Sequence, residues 1–386
     1  MPFTTTPPTF TWANLNNTWS TLADNWVGQY DVTSNLTIGD TPVDITNDAF
    51  TITTGRGRNR DLQRTNAGTI GVALRNQTRK FDPQGDSTLQ PLIRPRIPIN
   101  LEVDGLPVFE GVINDWDFSY SLGGQSTANI SGADAFTFFA RETATGTAIA
   151  ESSGARLNKV LNELPNPWPA DRRNIDAGNA TLHAATYDEN ALSYIQNIEQ
   201  SEGGIIFISK TGDVEMRQRQ VQVETELPTF TDQNNGIPYS DVDITFGTDL
   251  LANKVTVSSV EGTAVAINQD SIDENGAAEE NLDSILASAS LQGLAESILF
   301  RFGTPEYRVA AVTVNLLGLD ATTRGQVLSL ELGTQVRVEF TPNNVGDPIS
   351  IDNKVIGISH SINLNRHDVT FNFEDVGFPL FILDDP

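Results

Sequence analysis

Strict alternation of apolar and small or polar residues recurs through most of this chain, and it constrains the fold more than any other feature. Ile70, Val72 and Leu74 alternate with Gly71 and Ala73; Ile97, Ile99, Leu101 and Val103 alternate with Pro98, Asn100 and Glu102. Side chains of a strand point to opposite faces in turn, so this period reads as strands with one buried and one wet face. The same pattern returns in KVTVSSV, RVAAVTVNL and TQVRVEF, and in the closing stretch NKVIGISHSINLNRHDVTFNFED. Turn residues separate the runs. Asp82-Pro83 after Phe81 ends one strand pair, since Pro has no N–H for a ladder, and Phe81 is expected to plug a barrel end. Gly123-Gly124 lies between two alternating runs and reads as a hairpin turn.

Beyond the N-terminal arm, helical spacing stands out in three places. Leu157, Val160, Leu161 and Leu164 form one apolar stripe, with Ser152 or Ser153 as cap and Pro165 at the end. Ala191, Tyr194, Ile195 and Ile198 form a second, which Asp188 is expected to cap and Gly203-Gly204 to stop. A hairpin around Lys210 to Asp213 follows. The third stripe carries Leu291, Leu294, Ala295, Ile298 and Phe302 and stops at Gly303 and Pro305. Ahead of all of these, Trp12, Trp19 and Trp26 stand seven residues apart with Leu15 and Leu22 between them. That spacing suits a helical stripe, and the Thr-, Asn- and Asp-rich gaps suit an extended docking or self-association arm; Trp residues that roof the first domain are a further reading.

The resulting organisation is mostly β with an α+β insertion. It comprises an N-terminal Trp-repeat arm (1–30), a first β domain (31–148), a small domain of two helices and a hairpin (149–235), and a second β domain (236–386) with a helical insertion near 280–302. The layout of EGVINDWDFSYS, GG and QSTANISGAD is similar to that of the closing hairpin, which hints at internal duplication.

Charge narrows the function classes. With 24 basic and 50 acidic residues the net charge is −26, which argues against a DNA-binding role, because phosphate neutralisation needs surface Lys and Arg. The stretch from Arg56 to Arg96 runs against this balance, and Arg56, Arg58, Arg60 and Arg64 open it. These four are candidates for contact with an acidic neighbour or another copy of the chain; a solvated charged hairpin is the alternative. The absence of Cys removes disulfides, thiolate metal sites and a Cys nucleophile. No basic region precedes an apolar stretch at the N-terminus and no apolar run has membrane length, so a soluble chain without a classical secretion signal is expected.

Catalytic signals are thin. His360 and His367 flank the last turn and, with Asp368, could form a minimal metal shell, but cross-strand hydrogen bonding is the ordinary role for such a pair. Gly85-Asp86-Ser87 matches a short hydrolase motif in the wrong context, a polar loop between strands. The acidic stretch Asp270 to Asp283 lacks calcium-loop ligand spacing and reads as a solvated loop. No metal, cofactor or catalytic residue is assigned.

In order along the chain, AGTIGVALRNQTRKFDP, RPRIPI, VFEGVINDWDF and ALSYIQNIEQSEGGIIFISKTGDVEMRQR resemble the tail-hub proteins of long-tailed phages, also called minor tail or baseplate hub proteins. The resemblance implies that the β domains 31–148 and 236–386 are two related β-barrel-like hub domains, and that the chain is a virion protein at the tail tip, made in the host cytoplasm. It implies a homotrimer seated on the sixfold distal tail ring, touching the tape-measure protein, carrying fibre or receptor-binding proteins below, and passing phage DNA through a central hole. A distal ring protein and a receptor-binding or wall-degrading tip protein are the alternatives.

Overall fold

The computed structural model describes residues 32–60, 63–85, 87–219, 226–233, 235–287 and 291–376. Among these residues fourteen strands form one continuous sheet, and its organisation is a duplication. Five strands of the first half lie side by side in the order Ala49–Gly57, Asn66–Arg75, Thr127–Ala133, Leu106–Ser119 and Pro98–Val103, each antiparallel to its neighbour. Five strands of the second half repeat that order: Asp241–Phe246, Tyr307–Asn315, Arg366–Asp375, Ile349–Asn363 and Gln335–Phe340. In both, the fourth strand is the longest, and its register against the returning strand shifts near its middle, at Ile113/Asp115 and at Val355/Gly357. Such bulges bend a strand and increase its twist.

The two repeats do not close into separate barrels, contrary to the expectation from sequence. The reason lies in the overlong fourth strand. Gln335–Phe340 covers only Ile349 to Lys354, and the remaining half, Gly357 to Asn363, pairs with Gly57 to Thr51 of the first repeat. The second repeat thus hands its open edge to the first, and the sheet runs on. Gly57 has φ 86°, and a Cβ there would lie 2.2 Å from Ile356 O, so this seam needs glycine. One apolar core serves both repeats, from Leu36, Ile70, Val72 and Phe109 to Val312, Val314, Val338 and Phe371. Phe81 is fully buried in it, stacked at 6.2 Å on Trp116; it fills core rather than a barrel end.

Two edges of the duplicated pattern carry no strand partner among the described residues. The half of the first repeat's long strand from Asp115 to Ser119 pairs only with Thr127–Ala133. Asp241–Phe246 pairs only with Tyr307–Asn315. These are the counterparts of the two strands that meet at the internal seam.

Two further units are set between the strands. Residues 134–217 build the first around a separate core. Ser152 caps the helix Ser153–Glu163 as expected, its side chain accepting from Ala155 N. The helix Ala191–Glu202 is capped by Asn190 and not by Asp188, because Asp188 is still in the strand Ala185–Asn190; Gly203, with φ 67°, ends it. The hairpin Ile205–Ile208 and Val214–Arg217 completes this unit. Arg156, fully buried between the helices, donates to Glu151 Oε1 (2.6 Å), Tyr194 OH (2.8 Å), Ile149 O (2.9 Å) and His183 O (2.8 Å). The second unit lies between the first two strands of the second repeat. Its strand Lys254–Ser259 is flanked by Gly262–Ile267 and Glu279–Ile285, and the helix Leu291–Phe302 packs on it. The acidic stretch expected to be a loop is instead the helix Gln269–Asn275 and the strand Glu279–Ile285. Asn268 Oδ1 accepts from Ser271 N at 3.1 Å to start that helix, and Leu282 and Ile285 anchor the strand.

Candidate assembly surfaces and the buried arginine cluster

Arginines in and just after the strand Ala49–Gly57 add side-chain bonds from the first repeat to the second and to the helical unit. In the strand, Ile52, Thr54 and Arg56 share the buried face. Arg56 is 8% exposed, with Nη1 2.8 Å from Glu331 Oε1 and 3.3 Å from Ile208 O. Glu331 also accepts from Lys210 N at 3.2 Å and Leu332 N at 2.9 Å, so its carboxylate is fully engaged. Close by, Asp134 accepts from Gly68 N at 2.6 Å and Phe136 N at 3.0 Å. Burial pushes the Asp134 carboxyl up to about 7, against the pull of these donors and of Arg56.

Arg58 turns inward as well. Its Nη2 meets Glu374, which Arg301 Nη2 also reaches at 2.5 Å and Lys354 Nζ at 3.2 Å. Burial opposes ionisation of Glu374, but Arg301, Lys354 and Arg58 overcome it and hold the carboxyl well below its usual range. Three cations from chain segments far apart converge on this one carboxylate. Arg64 binds Gln200 Oε1 at 2.9 Å. Next to it, Thr65 N donates to Glu199 Oε2 at 3.2 Å and Gln196 Nε2 donates to Thr65 O at 2.8 Å. Only Arg60 of the four is a surface residue, half exposed and 3.9 Å from Asp249. It borders a cleft of about 580 Å³ whose rim includes the exposed Phe246. The sequence thus picks out an unusual segment, while the structure directs Arg56 and Arg58 into intramolecular ion pairs. Trp12, Trp19 and Trp26 lie outside the described residues.

His360 and His367 do come together. Both are buried, with His360 Nδ1 3.1 Å from His367 Nε2. Asp368 does not join them: Asn315 Nδ2 donates to it at 3.1 Å and Arg366 pairs with it. Among the described residues no group of three or more His, Asp or Glu is placed to hold a metal ion. Ser87 Oγ accepts from Leu89 N in turn-rich backbone. Among the described residues no helix is long and apolar enough to cross a membrane.

The free edges are acidic. Asp115 and Asp117 stand on one, and Asp241 and Asp243 on the other, all four without burial. Charges of this kind keep an open strand from pairing indiscriminately. From the buried Phe81 outward, the rings of Trp116, Phe118 and the exposed Tyr120 continue a ladder with centroids 6.2 to 6.4 Å apart.

Solved structures similar in fold to this chain include two tail proteins. The tail protein from Neisseria meningitidis MC58 is 15% identical, with a TM-score of 0.62 over 90% of this chain and 98% of that one. The 43 kDa tail protein of prophage MuSo2 from Shewanella oneidensis is 13% identical, with a TM-score of 0.57 over 89% and 97%. A chain of the PdpA-VgrG complex from Francisella is similar over 94% of this chain and 56% of that one, at 10% identity and a TM-score of 0.51. At these identities the likeness is one of fold, and the fold is one that these tail proteins share. No protein-family model and no curated protein matches the chain.

Proposed function

We propose that the chain is a structural, non-catalytic hub subunit at the distal end of a phage-type tail, and that it works as a homotrimer. One observation carries this reading: the strand pairing that joins the two repeats internally leaves the matching pair of edges open at the outer ends of the same chain. If Asp241–Phe246 of one copy pairs with Asp115–Ser119 of the next, the internal seam is repeated between copies. A head-to-tail contact of this kind closes into a ring when the rotation allows. Two repeats per chain make six in a trimer, which lets a threefold tip sit on a sixfold tube. The full-length likeness to tail proteins supports the tail setting.

In this reading the function is mechanical. The ring bridges the distal tail ring and the tape-measure protein above to fibre or receptor-binding proteins below, and phage DNA crosses its central opening. The net charge of −26 keeps phosphates from adhering in transit. Arg60 and the exposed Phe246 are left as outward contact residues. The test is native mass across a concentration range. A species of three chains supports the hub, whereas six chains would indicate a ring protein, and a persistent monomer in the presence of tail neighbours would overturn the ring contact.

A further inference from the structure

A second cavity, of about 600 Å³, lies where the helical unit meets the three-stranded unit. His183 N donates to Leu286 O at 2.9 Å along this junction. Two side chains that line the cavity are more than nine-tenths buried and carry polar atoms without a partner among the described residues: His183 Nε2 and Asn197 Oδ1. His183 Nδ1 lies 2.9 Å from Ala184 O, a carbonyl that can only accept. In the neutral ring the proton therefore sits on Nδ1, and Nε2 is a second unfilled acceptor.

The other polar groups of the lining do not fill the deficit. Tyr187 OH donates to Glu163, Tyr194 OH accepts from Arg156 Nη1, and Ser259 Oγ accepts from Glu261 N. Ser258 and Thr186 hydroxyls are engaged with Thr263 and Thr147. Among the described residues no lysine or arginine lines the cavity, and Glu189 adds a carboxylate. Tyr187 and Tyr194 stack with centroids 4.5 Å apart to form an aromatic wall. Val260, 81% exposed, adds an apolar side chain to the lining.

We infer that this cavity binds a primary alkylammonium group, a lysine side chain presented by a partner or a free alkyl amine. An ammonium offers three donors and no acceptor, which is what two orphaned acceptors and a carboxylate require. Its stem fits along Val260 and its charge against the tyrosine faces. The site stands independently of the tail reading.

Calorimetric titration of the full chain with n-butylammonium, with Nα-acetyl-lysine amide, and with n-butanol as neutral isostere tests it. Saturable binding of the amines is expected, with butanol at least about tenfold weaker. A tighter fit of the lysine amide points to a protein side chain, and a tighter fit of butylammonium to a free amine. Asn197→Leu is expected to weaken amine binding about tenfold and Asn197→Asp to strengthen it, a gain that damage to the fold does not produce. Butanol binding as tightly as butylammonium, no saturable response, or indifference to both Asn197 variants would overturn the inference.

Discussion

His360 and His367 are buried ring to ring at 3.1 Å, and at most one of the two facing nitrogens can carry the shared proton. Burial pushes His367 down to about 4 against Asp368 and Asp104, and burial, His367, Arg56 and Lys210 hold His360 well below its ordinary value. The unfolded chain takes up these protons below about pH 6.5 and the native chain resists. The stability that neutral rings confer is thus fully present above 6.5 and is lost as pH falls from there through about 4. For His367 alone the loss at about pH 5 is roughly 2 kcal/mol. Urea midpoints of the native chain and of His367→Asn should differ in slope across this window and run parallel above pH 7.

Arg56 and Glu331 form a buried pair at 2.8 Å. Glu331→Leu strands a guanidinium and should cost about 3–5 kcal/mol, while Arg56→Met combined with Glu331→Leu should cost clearly less. Urea unfolding of the two single variants and the double variant measures the difference. Additive losses would mean that the pair is not coupled.

Arg156→Lys keeps the charge and loses the planar fork that reaches Tyr194 OH, Glu151 and two carbonyls. About 2 kcal/mol of destabilisation is expected, with exchange protection lost first in Ser153–Glu163 and Ala191–Glu202. Hydrogen exchange of the variant checks both.

Much of this architecture could be read in the sequence because period-two alternation marks half-buried strands directly. The helices at 153 and 191 were equally legible from their stripes. What the period cannot give is which strand lies beside which. Gly57 and Gly357 meet across the seam, yet nothing local to either announces the other, and so two closed barrels were expected where one sheet runs through. The inward turn of Arg56 left a trace, since it shares parity with Ile52 and Thr54. Its carboxylate partner is far away in the chain, so segment charge alone suggested an outer surface. Asp188 failed as a cap because the strand before it runs two residues further than turn chemistry implied.

The edges proposed to join copies are both acidic, so their meeting brings like charges together. Trimer formation should therefore increase with ionic strength, the opposite of a contact made by Arg60 with an acidic partner. Asp115→Asn with Asp117→Asn should raise the trimer fraction at low salt and flatten the salt response. Sedimentation velocity at low and high salt checks this, and a trimer that falls apart as salt rises would exclude the acidic seam.

The seam also sets the order of events at the ribosome. Arg58 and Glu374 are 316 residues apart and Arg56 and Glu331 are 275 apart. At typical rates of elongation the strand Ala49–Gly57 waits roughly 15 to 60 s for the strand that covers it. Throughout that interval a nascent first repeat exposes an uncovered β edge and two uncompensated arginines. Newly made chains are thus open to mispairing on crowded polysomes until the chain as far as Glu374 has emerged, so the duplication that makes one continuous sheet also makes its completion a late step.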